Sequence, residues 1–510
     1  MTRPAAVIRG AIGGLAAAAL TLGVGELVAA AIDPDSAPFL AVASTTVDRS
    51  PAWAREFAID TFGTNDKTAL FVGTGVLIAL AAVVAGVFER RRWPWGTAIF
   101  VVLGAVGVYA ALARPGASAV WALPTIVGVA AGIIVLRLLV RAPRSASAAA
   151  ETDTPAGPSR RAFFAIAGGA VVVAAAAVAV GRTVASRAQE AVANRGSLRL
   201  PTPTSPAPPI PDGVNVDGAT TFVTDNAEFY RIDTALSVPR LTTDEWQLRI
   251  HGMVDRELTL TWDDLVERDM IERVVTLSCV SNEVGGNLAG NATWIGFPIA
   301  SLLDEVGVAP DSDMLLSTSS DGFTAGTPVE VLTDGRDAML AVAMNGEPLP
   351  FEHGYPVRQV VPGLYGFVSA TKWVVDWELT RFDRAQAYWT QRGWGEQAPI
   401  KTASRIESPS ASGPVAAGPV TVAGTAWAQH RGIERVEVRV DEGPWQLATL
   451  APQYSIDTWR QWSWVWDAAP GTHMLQVRAT DLSGATQPEE RVDPIPDGAT
   501  GWHSRTLRVQ

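Results

Sequence analysis

A single cysteine, Cys279, serves the whole 510-residue chain. One thiol can form neither an intramolecular disulfide nor a multi-thiolate zinc site, and it excludes a Cys-x-x-Cys-His haem attachment. Histidine is almost as scarce: the five present all lie at or beyond His251, and between Met1 and that residue there is no cysteine and no second methionine. The first half of the chain therefore lacks the side chains that ordinarily ligate haem inside a membrane. Basic residues are outnumbered, 40 Lys and Arg against 52 Asp and Glu, for a net charge of -12. Phosphate backbones are held by clustered cations, so a nucleic-acid partner is not expected.

Apolar residues are abundant, at 48%, and the excess is concentrated in the first third. Five apolar runs there approach bilayer-crossing length: Ala5 to Ile32, Ala69 to Phe88, Thr97 to Ala113, Val120 to Val140 and Ala162 to Gly181. Arginines gather at Arg3 and Arg9, at Arg90 to Arg92, and at Arg141, Arg144, Arg160 and Arg161, which are alternate ends under this count. The positive-inside tendency makes those ends cytoplasmic and puts the chain after the fifth helix outside. Glu26, ionisable within an apolar span, is a functional candidate whose bland reading is a side chain that snorkels or pairs.

Ser159-Arg160-Arg161-Ala162-Phe163-Phe164 resembles a twin-arginine export signal, here internal, and reads equally as the cytoplasmic anchor of the fifth helix. The expected division is a transmembrane anchor over 1–195, a Pro-rich linker over 196–216, a catalytic domain over 217–399 and a β-domain over 400–510. Leu198 to Gly213 would be a semi-rigid tether.

The catalytic region is organised around Val274 to Leu303, VVTLSCVSNEVGGNLAGNATWIGFPIASLL. A β-branched run delivers Cys279 to the end of a predicted strand, and a Gly- and Asn-rich loop follows. A lone buried cysteine is commonly just a small hydrophobe, whereas a thiolate is also a soft ligand suited to redox metals. Short strands at Trp246 to Val254 and Met339 to Met344, an Asn345-Gly346 turn, and helices at Thr261 to Arg268 and Ile299 to Val306 predict an α+β domain. Beyond Ile400, six short strands predict an immunoglobulin-like sandwich, with Trp462, Trp464 and Trp466 packing on one face.

Cys279 and Asn282 in a Cys-x-x-Asn pattern, Asn291 to Pro298, the block MNGEPLPFEHGYPVRQVVPGLYGFVSATKW over Met344 to Trp373, and the segment Phe229 to Pro239 together resemble the sulfite oxidase family over roughly residues 220–510. The resemblance implies a molybdenum-molybdopterin cofactor with Cys279 as metal ligand and catalytic centre. Tyr230, Arg231, Asp233, Asn282, Asp321, His353, Arg358, Ser369, Thr371 and Lys372 would contact it. Arg358 suits a pterin phosphate because its planar fork donates two parallel hydrogen bonds. The family also implies a homodimer through the C-terminal domain.

Two departures bear on substrate. The family's arginine after the ligand cysteine is replaced by Glu283 and Val284, and its active-site tyrosine falls at Gly393-Trp394. A carboxylate would repel sulfite and an indole can only donate a hydrogen bond. The expectation is a membrane-anchored, externally facing oxidoreductase performing two-electron oxo transfer on a small molecule other than sulfite, with electrons exchanged with a separate cytochrome or similar protein. A sulfite dehydrogenase and a cofactor-free membrane-tethered scaffold are the alternatives.

Overall fold

The computed structural model describes residues 3–33, 36–51, 54, 57, 61–62, 66–91, 94–114, 117–140, 189–411 and 413–510. They fall into two units, Met1–Glu190 and Ala191–Gln510.

Four helices in the first unit are long and apolar enough to cross a bilayer: Gly10–Ile32, Lys67–Arg91, Trp95–Leu112 and Ala119–Leu139. They match four of the five expected spans to within a few residues. The fifth, with the twin-arginine-like motif, lies outside the described residues. Small residues let these helices approach closely: a Cβ on Gly86 would sit 1.9 Å from the Gly10 carbonyl oxygen. Glu89 is buried and accepts hydrogen bonds from Thr97 N at 2.7 Å and Thr97 Oγ1 at 3.0 Å. Glu26 is exposed on the first helix. A short helix, Pro38–Arg49, was not anticipated from the sequence. Its polar residues Ser44, Thr45, Thr46 and Asp48 break the apolar run that marks a span.

The second unit joins two domains. In the first, Gln247–Gly252 and Leu258–Thr261 form a five-stranded sheet with Met314–Ser319, Thr324–Pro328 and Val374–Thr380. A second sheet is built from Ile271–Ser278, Ala289–Pro298, Met339–Met344 and Glu347–Pro348, with Arg358–Val360 pairing on Met339–Met344. Short helices, including Ile299–Val306, complete the α+β arrangement. Asn345 and Gly346 turn the expected hairpin with φ of 51° and 80°.

The second domain is a sandwich of two antiparallel-rich sheets. Ala403–Ser408, Gly418–Trp427, Arg460–Ala468 and Thr449–Leu450 make one; Pro414–Val415, His503–Val509, Gly471–Asp481, Ile433–Val440 and Gln446–Leu447 make the other. The neighbouring short strands Gln446–Leu447 and Thr449–Leu450 thus belong to different sheets. Trp462 and Trp466 are buried in the sandwich core and Trp464 packs against it, so the tryptophan row is packing.

The Pro-rich segment is not a free tether over its middle. Thr204 N donates to Met270 O at 2.9 Å, Glu272 N to Ser205 O at 2.9 Å, and the Tyr454 hydroxyl to Pro208 O at 2.8 Å. Proline leaves its carbonyls free to accept, and the segment lies along the edge of Ile271–Ser278.

Candidate active site

Cys279 follows the strand Ile271–Ser278, whose residues are mostly buried. Antiparallel pairing with Ala289–Pro298 fixes the strand's end, and Cys279 N donates to Leu288 O at 2.9 Å. The thiol opens into a pocket. Burial pushes its pKa up, opposed by hydrogen bonds from the backbone and side chain of Ser281.

Several other segments reach the same pocket, and two of them are tied together by aromatic rings. Phe229 stacks on Tyr230, meets the His353 ring edge-on at 5.5 Å, and packs on Trp294. That aromatic knot ties the Phe229–Asp233 segment to the Phe351–Arg358 segment. Tyr230, Asp233, Cys279, Asp321, His353, Arg358 and Lys372 all line the pocket.

Arg358 is 5% exposed, and its guanidinium donates only to backbone carbonyls: His353 O at 3.3 Å, Ala370 O at 3.3 Å and Gln359 O at 3.4 Å. Its plane lies 5.1 Å from the Trp294 ring centroid. Among the described residues no carboxylate pairs with it, and burial pulls its pKa down to about 10. A buried cation without a counter-ion is costly, and an anionic ligand would relieve that cost.

His353 Nε2 donates to the Asn226 carbonyl at 3.1 Å, the role its carbonyl partner requires. Burial and the nearby Arg358 hold its pKa down at about 4, so at neutral pH the ring is uncharged and its Nδ1 accepts. Lys372 Nζ donates to Asp233 Oδ2 at 2.8 Å and sits 4.7 Å from the Trp373 ring. Burial lowers its pKa to about 8 in spite of Asp233. Arg231 also pairs with Asp233, at 2.7 Å, but stays partly exposed and outside the lining.

The remaining sequence candidates stand behind the wall. Asn282 Oδ1 accepts from Leu288 N at 2.9 Å, which closes the loop after the thiol. Ser369 Oγ donates to Tyr365 O at 2.9 Å, and Thr371 Oγ1 bonds Ser317 Oγ at 2.6 Å. Their hydroxyls are used internally.

Glu283 contradicts the sequence expectation. It is absent from the pocket lining, 72% exposed, and faces Arg491 at 3.8 Å. The two-residue turn Val280-Ser281 carries the chain past the pocket before Glu283 is reached. Trp394 does line it, together with Trp389, Phe367, Phe323 and Ile232. Trp389 and Trp394 meet at 6.1 Å and Phe367 and Trp394 at 5.8 Å. Of these, sequence reasoning found only Trp394; isolated aromatics look like core until a fold places them.

Residues 235–389 match the oxidoreductase molybdopterin binding domain family, and residues 403–477 match the bacterial Ig domain family. Human mitochondrial sulfite oxidase is 28% identical over 335 residues, covering 54% of this chain and 58% of that protein. The chain is similar to the sulfite oxidases over its molybdopterin-binding and immunoglobulin-like domains. NADH nitrate reductase 1 of Oryza sativa subsp. japonica is 28% identical over 323 residues, covering 50% of this chain and 35% of that one. The chain thus spans about half the length of the curated sulfite oxidases it matches, and less of the nitrate reductase. Among solved structures, the sulfane dehydrogenase SoxCD of Paracoccus pantotrophus aligns with a TM-score of 0.50 at 24% identity, covering 57% of this chain and 84% of that chain, which shows a shared fold.

The molybdopterin-binding domain implies a molybdenum-molybdopterin cofactor. The residues present fit it: one thiol, a buried guanidinium with no carboxylate partner among the described residues, a lysine and a neutral imidazole share one pocket with aromatic walls.

Proposed function

We propose that the chain is a membrane-anchored, externally facing oxidoreductase that carries out two-electron oxo transfer on a small molecule other than sulfite. The observation that carries this reading is the convergence on one pocket of Cys279 and Arg358, which has no carboxylate partner among the described residues. The bound group would supply the redox chemistry. Cys279 would hold its metal, and the hydrogen bonds from Ser281 would set how much charge the sulfur retains. Arg358 and Lys372 would bind the phosphate end of the cofactor by charge-assisted hydrogen bonds. His353, its Nε2 fixed on Asn226, would accept from the cofactor through Nδ1. Tyr230, half-buried beside the thiol, stays protonated because desolvation and the neighbouring Cys279 raise its pKa, so its hydroxyl is a donor.

Trp389, Trp394 and Phe367 line the remaining volume. The basic residues of the lining are His353, Arg358 and Lys372, all assigned to the cofactor, which leaves no guanidinium for sulfite. The substrate side is aromatic, and suits a neutral, cationic or aromatic group. With Glu283 facing away, the case against sulfite rests on this lining alone, and sulfite dehydrogenation is the second reading. A separate cytochrome or similar carrier exchanges the electrons, and the chain pairs as a homodimer through its C-terminal domain.

The test is a substrate screen on membrane-extracted holoprotein, with molybdenum quantified per chain. Turnover of neutral or aromatic oxo acceptors above sulfite supports the reading; ready sulfite oxidation replaces it with the second; folded, metal-free protein from a cofactor-competent host would favour the scaffold.

A further inference from the structure

The loop that follows Cys279 is held from outside by the immunoglobulin-like domain. Its inner face is closed by its own bonds: Asn282 N donates to Cys279 O at 3.1 Å, Leu288 N to Asn282 Oδ1 at 2.9 Å, and Gly286 N to Glu283 O at 2.9 Å. Its outer face meets two residues of the neighbouring sandwich. Arg405 Nη1 donates to Gly286 O at 2.9 Å, and the guanidinium is itself fixed by Glu407 Oε1 at 2.5 Å and by Thr220 Oγ1 at 3.4 Å. Only 7% of the Arg405 side chain is exposed, and it lies 5.6 Å and 5.8 Å from the rings of Trp427 and Trp459.

His503 is the second. Its Nδ1 accepts from Ile406 N at 2.9 Å, which fixes the ring against Gly285. Gly285 has φ of +81°, and a Cβ there would lie 2.2 Å from His503 Cδ2. Only glycine meets both demands at once, the left-handed backbone and the close ring.

We propose that Arg405 and His503 are positioning residues for the metal ligand, so that the immunoglobulin-like domain is a working part of the thiol site. The loop has one route to Cys279 through the Asn282 and Leu288 bonds, and a loop free to shift would carry the thiol with it. Partners that orient a metal ligand from behind typically matter by roughly 10- to 100-fold in metal affinity or activity. The inference rests on the reading of Cys279 as the molybdenum ligand.

The experiment uses full-chain holoprotein and compares wild type with Arg405→Gln, Gly285→Ala and, as a control elsewhere in the sandwich, Arg435→Gln. The readouts are molybdenum per chain and the Mo(V) electron paramagnetic resonance spectrum after partial reduction. Arg405→Gln disturbs the clamp from one domain and Gly285→Ala from the other. Both are expected to shift or broaden the spectrum in the same sense and to lower metal content, while Arg435→Gln keeps the wild-type spectrum. Should Arg405→Gln not fold, Gly285→Ala decides alone, since it leaves the sandwich intact. Loaded variants with the wild-type spectrum overturn the clamp. A wild type that binds no molybdenum overturns the reading of Cys279 and the clamp with it.

Discussion

Lys372 donates to Asp233 at 2.8 Å, and this ion pair joins the two segments that flank the pocket, 139 residues apart in the chain. Both side chains are nearly buried, at 10% and 4% exposure. Breaking such a pair from one side leaves the other charge buried and uncompensated.

The pair makes the cofactor-free protein pH-dependent. Burial lowers the Lys372 pKa to about 8 from its ordinary 10.5. Across that window the unfolded chain binds a proton that the folded chain lacks, so the cofactor-free protein gains stability as pH rises from about 8 to 10.5. A bound phosphate would hold the ammonium charged and remove this gain. Thermal unfolding of cofactor-free wild type and Lys372→Met over that range is expected to show the rise in the first and not in the second.

Arg358→Met removes the buried guanidinium. Charge-assisted hydrogen bonds contribute about 1.5–3 kcal/mol each, so pterin retention is expected to fall by roughly 10- to 100-fold. The empty variant should unfold no earlier than empty wild type, because it loses a cation that lacks a counter-ion. Pterin content after gel filtration, with a melting curve of the emptied protein, checks both halves.

Glu283→Arg is expected to leave sulfite turnover where it is in wild type, since the residue faces Arg491 outside the pocket. Trp394→Tyr changes the lining itself and supplies a phenol that donates and accepts. Relative kcat/KM for sulfite against a neutral substrate should move toward sulfite in Trp394→Tyr and not in Glu283→Arg.

The sequence made the thiol and its basic neighbours legible because their chemistry is rare: one cysteine, few histidines, and an arginine and lysine inside apolar blocks. Residue-by-residue transfer was less reliable. Ser369 and Thr371 sit in a matching stretch, yet their hydroxyls face Tyr365 and Ser317 behind the wall. The spacing of Glu283 from Cys279 does not show which way the loop between them turns. Phe367 and Trp389 gave no signal, since an aromatic beside a glycine or a tyrosine looks the same in a core as in a pocket. Arg405 and His503 could not be read at all: their partners Gly286 and Gly285 are more than a hundred residues away, in another domain.

Molybdenum per chain in Cys279→Ser, measured beside wild type from the same cofactor-competent host, tests the central claim most directly. Loss of metal and turnover in a variant that still folds is the predicted result. Wild-type metal content and turnover without the thiol would contradict it.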